Sequence, residues 1–310
     1  MKYLKKFNNA SEYETFKNSN EFLTPNVSFA VEDEIFYYQP YIPPPISLCD
    51  IAYWDGSAVK TVSKDNWSTS LGTPIGVVVI PEGMLPDGKA RMVGLKPVDS
   101  SGNPSSSHVN IVWGSADTDT SLTNYTKVPT TDNAGSTSTG SNSYGYLPSD
   151  KFTGTTSYVD SAAKYRTTSN LIPSPYLYNG GELAFNPEYS KAIEGNNALS
   201  DFNGLSNTEA LIGLGTGYTA ANACWNYFDG VSNTQWYLPA TGELGFLMPR
   251  FNEINSALTS VGGVAVVSSD NFWSSSEYSS NDAYYLNPGN GSINYFNKND
   301  INSVRAFSLV

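Results

Sequence analysis

Residues 271–278 read NFWSSSEY, residues 281–287 read NDAYYLN and residues 294–305 read NYFNKNDINSVR, and this stretch decides how the whole chain is interpreted. Part of it has scaffold character, and the rest is drawn almost wholly from Asn, Tyr, Asp, Phe, Ser and Ile. Asn and Tyr are costly inside a strand core, because their amide and hydroxyl groups need buried partners. On a contact surface they are favourable, since Tyr gives area at low entropy cost and Asn gives adaptable hydrogen bonds.

We therefore predict a variable binding segment over residues 270–305. The residues predicted to contact a ligand are Asn281, Asp282, Tyr284, Tyr285, Asn287, Asn290, Asn294, Tyr295, Phe296, Asn297, Asn299, Asp300, Ile301 and Asn302. The four aromatic residues of this set are expected to act as anchors, because aromatic hot spots at interfaces are commonly worth about 2 kcal/mol or more each. Trp273, Glu277, Glu243 and Arg305 are predicted to be structural.

The composition excludes several classes of protein. The chain has 310 residues, of which 39% are hydrophobic and 13% aromatic, enough to support a real core. Only 15% are charged and the formal net charge is −12, which argues against binding to a phosphate backbone. No stretch approaches the roughly 18 apolar residues of a membrane span. A Ser- and Tyr-rich chain of this kind fits a loop-rich extracellular or virion β protein.

The chain order predicts two parts. Residues 1–45 are interpreted as a small α/β arm, with strands at 3–7 and within 27–38 and a helix opened by a capping box at Ser11. The run Pro43-Pro44-Pro45 is a stiff spacer and marks the boundary. Residues 46–310 form the main domain, with a long polar insertion at 99–160. The open alternatives are an arm that packs on the main domain as a strand pair, and an insertion that merely lies on the surface.

Hydrophobic periodicity places strands and helices in the main domain. Residues 51–54 and 59–62 predict a hairpin around Asp55-Gly56, and the apolar run 75–80 predicts a central strand. Helices are predicted after Asn207-Thr208 and after Thr219. A third is predicted along an apolar stripe from Leu244 to Leu258, kinked at Pro249.

The sequence offers little for catalysis or metal binding. His108 is the only histidine, so neither a metal centre nor a Ser/His/Asp triad has much to build on. Glu243, Glu277 and Asp270 are candidates for a glycosidase carboxylate pair, but capping or ion-pair roles are favoured. We predict no catalytic residues, no metal and no cofactor. Cys49 and Cys224 are expected to be free thiols.

Several motifs together resemble a known family. They are AANAC at 220–224, WYLPATGEL at 236–244, FWSSSEY at 272–278 and SVRAF at 303–307, with ALSDFNG at 198–204 and PIGVVV at 74–79 upstream. The chain is similar over most of 46–310 to C-type-lectin-fold variable proteins of diversity-generating retroelements, of the type found in gut Bacteroides and their phages. Ala240 departs from the family, which often has Ser there and so a capping box with Glu243.

The resemblance implies an α+β fold: a C-type lectin-like domain with small antiparallel sheets and two to three helices after the short arm. Its ligand face would be diversified by copying a template with substitution at adenines. An AAY codon randomised at its first two bases yields the residue types found at 281, 282, 284, 285, 287, 294–297 and 299–302, apart from Lys298. Arg305 is expected to form a buried ion pair with Glu277 or Glu243.

The expected function is non-enzymatic binding of a host receptor by a bacteriophage particle. The expected partner is a bacterial surface protein or glycan, with other virion proteins contacted through residues 1–45. Location in the virion is favoured, with the bacterial cell surface second, and a homotrimer is expected because the proline run would suit a symmetric stalk. The alternatives are a structural virion fibre or decoration protein with a lectin-like cap and, less favoured, a glycan-cleaving enzyme.

Overall fold

In a computed structural model the chain divides at the end of the proline run into two compact units, Met1–Pro45 and Ile46–Val310. The residues that the structure describes are 3–7, 15, 27–31, 34–39, 45–85, 87–116, 120, 122, 144–146, 171–172, 176–179, 182–185, 198, 201–247, 250–288 and 292–310. Among these residues no helix is long and apolar enough to cross a bilayer.

The smaller unit contains a three-stranded antiparallel sheet. Its strands are β1 (Tyr3–Phe7), β2 (Val27–Val31) and β3 (Glu34–Gln39), in the order β1-β3-β2. The positions agree with the strands predicted from the sequence. The predicted helix that opens at Ser11 lies, apart from Thr15, outside the described residues.

The larger unit mixes small, mainly antiparallel sheets with helices. Its strands are β4 (Ile51–Trp54), β5 (Val59–Val62), β6 (Thr73–Ile80), β7 (Arg91–Gly94), β8 (Ile111–Val112), β9 (Tyr144–Tyr146), β10 (Leu171–Ile172), β11 (Tyr176–Asn179), β12 (Glu182–Phe185), β13 (Phe272–Glu277), β14 (Asp282–Asn287), β15 (Ser292–Asn297), β16 (Ile301–Asn302) and β17 (Phe307–Leu309). The described helices are α1 (Gly204–Leu214), α2 (Thr219–Trp225), α3 (Thr241–Gly245) and α4 (Phe251–Ser260), with a 3-10 helix at Lys64–Asn66.

Two five-stranded sheets organise this unit. The first has the order β17-β7-β6-β4-β5 and is antiparallel throughout, with the apolar strand β6 at its centre as its sequence predicts. The second has the order β10-β9-β15-β14-β13, and only its β9–β10 pair is parallel. The short strands β8 and β16 pair separately, as do β11 and β12. The coarse prediction of a mixed fold with small antiparallel sheets is confirmed.

The helices differ in detail from the prediction. The first begins at Gly204, before the Asn207-Thr208 pair that was expected to cap it. The apolar stripe from Leu244 to Leu258 is divided between α3 and α4, so the described part of the larger unit holds four helices where two to three were expected. Pro249, predicted to kink one helix, falls outside the described residues.

Two apolar clusters cover opposite faces of the strands. Tyr284 and Leu286 of β14 belong to one cluster, which also contains Val77 of the first sheet and Leu244 of α3. Their neighbours in sequence point the other way, because successive strand side chains alternate, and Tyr285 joins a second cluster built around tryptophans. Strand β14 is therefore covered on both faces.

Part of the predicted polar insertion belongs to the core. Ile111 and Trp113 are buried, and the Trp113 indole donates to the Ser274 carbonyl oxygen at 2.7 Å. Thr120 is buried as well. The alternative of an insertion that merely lies on the surface is therefore wrong for residues 111–113 and 120. Because Ile111 and Trp113 stand in a stretch that is otherwise mostly polar, hydrophobic periodicity did not predict that they are buried.

Candidate binding face

The hairpin of β14 and β15 places the predicted ligand-binding residues in two rows. The register pairs Asp282 with Asn297, Tyr284 with Tyr295, and Tyr285 with Asn294. The turn after β13 and the turn after β15 lie side by side at one end of this hairpin, since the Lys298 amide donates to the Asn281 carbonyl oxygen at 2.8 Å.

The structure divides the predicted residues by exposure. Five are exposed: Asn281, Phe296, Asn299, Asp300 and Ile301. Five are half-buried: Asp282, Asn287, Asn294, Tyr295 and Asn297. Three are buried, namely Tyr284, Tyr285 and Asn302, and Asn290 lies outside the described residues. We define the turn patch as the set at the shared end of the hairpin: Asn281, Asp282, Phe296, Asn297, Asn299, Asp300 and Ile301.

The prediction that Tyr284 and Tyr285 face solvent is wrong, because their side chains are only 1% and 6% exposed. Both faces of β14 are covered, so alternation leaves neither ring outside. Tyr285 meets the Trp273 ring edge-on at 6.2 Å and stacks on Phe296 at 4.5 Å between centroids. Burial raises the pKa of Tyr285, and a hydrogen bond with the Asn294 side chain opposes that rise. Tyr285 therefore supports the ring of Phe296 from the buried side.

Tyr278 was not among the predicted site residues, yet it completes an aromatic group under the hairpin. Its ring stacks on Tyr295 at 3.9 Å between centroids and meets Tyr284 edge-on at 5.6 Å. Such pairs contribute about 0.5–1.5 kcal/mol beyond the area they bury. The sequence feature that could have identified Tyr278 is its position directly after β13 and just before a tyrosine-rich hairpin.

Asn302 is a second correction, since it is buried and belongs to the scaffold. It pairs with Ile111 in the short ladder of β8 and β16. Its neighbour Ile301 points outward and is 59% exposed, the largest value among the large apolar side chains that the structure describes. Because β16 packs one side against the core, Asn302 points inward and Ile301 points outward. An asparagine is usually exposed, so the sequence did not predict that Asn302 is buried.

Lys298 fixes the turn that carries the patch. Its ammonium group is fully buried, forms an ion pair with the Glu277 carboxylate and donates to the Ser280 carbonyl oxygen at 2.8 Å. It also lies 5.0 Å from the centre of the Trp113 ring. Thr120 donates to the second Glu277 oxygen. Lys298, the residue that the sequence analysis set apart from the predicted variable positions, is thus structural.

The predicted ion pair of Arg305 with Glu277 or Glu243 is wrong. Each carboxylate has another cation, Lys298 for Glu277 and Arg91 for Glu243, whose Nε lies 3.0 Å from Oε1. Arg305 is fully buried and donates from Nη2 to the carbonyl oxygens of Gly94 and Val264 at 3.1 and 2.9 Å. Burial lowers its pKa to about 10. The sequence indicated buried charges correctly but could not indicate which ones meet.

Glu243 connects the start of α3 to the first sheet. Its Oε2 accepts the Ala240 amide at 2.9 Å, which is the carboxylate half of a capping box. The Tyr237 hydroxyl donates to Oε1 at 3.0 Å. Thr241, the first residue of α3, hydrogen-bonds Ser274 through its hydroxyl. Because Glu243 has a buried guanidinium beside it and a full set of donors, its geometry is that of a structural residue.

Gly204 leaves the room that this arrangement needs. A Cβ added there would lie 2.7 Å from the Ala240 nitrogen and 2.7 Å from the Tyr237 ring, and closer still to the Glu243 carboxylate. We expect Gly204→Ala to lower the free energy of unfolding by about 1–3 kcal/mol, as overpacking does. Urea denaturation measures it. Gly213→Ala in the same helix is the matched control, because its Cβ meets nothing within 4 Å, and an equal loss there would contradict this account.

The serines of β13 form a buried polar network behind the hairpin. The Ser276 hydroxyl donates to the Asp201 carboxylate at 2.6 Å and accepts the Thr241 amide at 2.9 Å. The Ser274 hydroxyl donates to the Tyr284 carbonyl oxygen at 2.9 Å. Small hydroxyl side chains satisfy groups that a larger residue would leave unpaired, so the SSS run positions β14 and is no contact surface.

His108, Asp270 and Ser303 lie together, but not in the order of a catalytic triad. His108 Nδ1 lies 2.6 Å from Asp270 Oδ2, and the buried Ser303 hydroxyl reaches that same carboxylate at 3.4 Å while donating to Asn110 at 3.0 Å. In a triad the histidine stands between the serine and the acid. Among the described residues no three metal-ligating side chains cluster.

His108 should make stability depend on pH. Burial, aided by the Arg305 guanidinium, lowers its pKa below the usual 6.5, and Asp270 opposes that fall. The unfolded chain therefore takes up a proton first as the pH drops below 6.5, and the folded state loses stability. The slope cannot exceed about 1.4 kcal/mol per pH unit. Urea denaturation between pH 7 and 5 should show this loss relative to His108→Gln, and a difference that does not change with pH would contradict it.

A cleft of about 570 Å³ lies away from the turn patch, between the 47–50 turn, the 3-10 helix and the start of α4. Its two basic groups are engaged locally: Lys64 donates to the Ser256 hydroxyl at 2.8 Å and Arg250 pairs with Glu253 at 2.5 Å. Cys49, a half-buried free thiol in this cleft, has its pKa raised to about 12, mainly by burial. The cleft shares no residue with the predicted binding segment.

No protein-family model matches the chain, and no curated protein matches it. A crystal structure of a fimbrial protein from Bacteroides ovatus is similar at a TM-score of 0.40 and 17% identity, over 86% of this chain and 49% of that one. This chain therefore spans about half the length of that neighbour. A similarity of this size transfers neither fold nor function.

Proposed function

We propose that this protein is a non-enzymatic binding protein that presents the turn patch to a receptor on a bacterial surface, carried by a bacteriophage particle. The observation that carries the proposal is the pair of exposed apolar side chains at the end of the hairpin, Phe296 and Ile301, which are 39% and 59% exposed. Asn297, Asn299 and Asp300 lie between them in the chain, and Asn281 and Asp282 lie in and next to the neighbouring turn. Apolar anchors inside a rim of amides and carboxylates are the usual anatomy of a recognition surface.

The support beneath the patch also favours binding. Phe296 rests on Tyr285, and the turn after β15 is held by the buried Lys298–Glu277 pair. A surface fixed in this way loses little conformational entropy when a partner docks. We include in the proposal a C-type lectin-like fold and diversification by adenine substitution, as the sequence motifs imply. On that view substitutions at 281, 297 and 299–301 are tolerated, whereas those at 284, 285 and 302 cost stability.

Cell binding tests the proposal. The double variant Phe296→Ala/Ile301→Ala should reduce binding of the labelled protein to a panel of gut Bacteroides strains by about tenfold or more in every strain that the unmodified protein binds. The matched control is Phe228→Ala/Leu214→Ala, which removes two apolar side chains that are 56% and 53% exposed outside the patch. Equal binding by both variants would favour a structural virion role, and purified protein that cleaved polysaccharide would favour an enzyme.

A further inference from the structure

Charge on the C-terminal segment is distributed unevenly between the surface and the interior. Residues 264–310 contain two cations, Lys298 and Arg305, and both are fully buried. Lys298 is neutralised within the protein by Glu277. The carboxylates of the turn patch, Asp282 and Asp300, are half-buried and exposed. The surface of this segment is therefore negative.

The two carboxylates lie close to one residue of the hairpin. Asp282 is the cross-strand partner of Asn297, and the Asp300 amide donates to the Asn297 carbonyl oxygen at 2.8 Å. Asp282 accepts from the Ser279 hydroxyl at 3.1 Å, and the described residues give the Asp300 side chain no partner. The apolar pair Phe296 and Ile301 lies on either side of this turn. One short stretch thus offers an aromatic ring, an aliphatic group and two carboxylates without a surface cation of its own.

We propose, on the basis of the function proposed above, that the turn patch binds a protein surface that carries lysine or arginine beside an apolar side chain. Carboxylates pair with guanidinium and ammonium groups in charge-assisted hydrogen bonds, and a cation can also lie over the Phe296 ring. Ile301 supplies apolar contact area without a ring on which a sugar could stack. An acidic polysaccharide would be repelled by Asp282 and Asp300.

Complementary charge should also affect the rate of binding. The chain carries a formal net charge of −12, so a basic partner is attracted before contact and the association rate falls as salt rises. This long-range attraction is not specific to the patch. A test must therefore distinguish the effect of Asp282 and Asp300 on binding from the effect of the net charge of the chain.

A peptide array provides that test. The full-length protein is applied to synthetic 12-residue peptides of equal apolar content in three classes: basic, neutral and acidic. The basic class should bind at least about tenfold more tightly than the other two, and Asp282→Asn/Asp300→Asn should lower that affinity by about tenfold. The control Asp65→Asn/Glu209→Gln removes the same charge at exposed positions outside the patch and should change the affinity less than about twofold.

The other outcomes separate this inference from the proposed function. Equal losses in the two charge variants, no basic preference, or no binding by the basic class would overturn the basic-partner inference. If binding to neutral peptides or to a glycan array still depends on Phe296 and Ile301, the patch remains a binding face with a different partner. If Phe296→Ala/Ile301→Ala leaves all binding unchanged, both proposals are wrong.

Discussion

Replacing Lys298 by methionine should lower the free energy of unfolding by about 3–5 kcal/mol, because it leaves the Glu277 carboxylate buried without its cation. Lys298 and Glu277 are both completely buried, so water cannot compensate for the loss. Urea denaturation measures the change. Hydrogen exchange should also quicken at the Trp113 and Gly114 amides, which donate to the Lys298 carbonyl oxygen at 3.0 and 3.2 Å.

Two controls distinguish a buried pair from a surface one. Lys60→Met breaks the Lys60–Asp55 pair, in which the lysine side chain is 54% exposed, and should cost only a small fraction of the Lys298 effect. The double variant Glu277→Gln/Lys298→Met should lose less than the sum of the two single variants, since removing both charges leaves no unpaired ion. A Lys298→Met loss as small as that of Lys60→Met would show that the pair does not hold the turn.

Replacing Trp273 by alanine should also lower the free energy of unfolding by about 3–5 kcal/mol. The side chain is fully buried, meets Tyr285 edge-on, and donates from its indole nitrogen to the Ile111 carbonyl oxygen at 2.9 Å. Its removal opens a cavity beneath the ring that supports Phe296. Thermal and urea unfolding measure the loss.

Trp273→Phe removes the hydrogen bond while keeping most of the packing. The phenyl ring fills most of the space but leaves the Ile111 carbonyl oxygen without its donor, so we expect a loss of about 1–3 kcal/mol. The comparison is Trp54→Ala at the half-buried end of β4, which should cost less than Trp273→Ala. Similar losses for the two alanine variants would mean that Trp273 has no special place in the core.

The patterned parts of the chain were predictable because their signals are local. A hairpin needs only two β-forming runs joined by a turn, and residues 51–62 contain both. In the Asp55-Gly56 turn, Gly56 adopts a φ of +97°, and the Asp55 carboxylate accepts hydrogen bonds from the Ser57 and Ala58 amides. The apolar run in β6 predicted a central strand because a strand covered on both faces has no polar side. The polar stretch before Trp113 carried no such pattern, and its packing was missed.

The sequence predicted which segment forms the candidate site, but not which of its side chains face solvent. Period-two alternation predicts which residues share a face of a hairpin, but a tyrosine suits either a surface or an interior. Tyr284 and Tyr285 are both buried because clusters from different elements cover the two faces of β14. Phe296, the most apolar of the predicted aromatic anchors, is the exposed one.

By itself the sequence determined the hairpin at 51–62 and the central strand of the first sheet, the scaffold character of Trp273 and Glu277, and the concentration of amides, aromatic rings and carboxylates near the C-terminus. The hairpin and the central strand are visible in the sequence because their patterns involve residues close in the chain. Only the tertiary structure decided that Glu277 pairs with Lys298, that Glu243 pairs with Arg91, and which rings reach solvent. Arg91 and Glu243 meet at a separation of 152 residues. Glu277 and Lys298 are only 21 residues apart, but Thr120, which donates to the same carboxylate, lies 157 residues before Glu277. No local pattern carries that information.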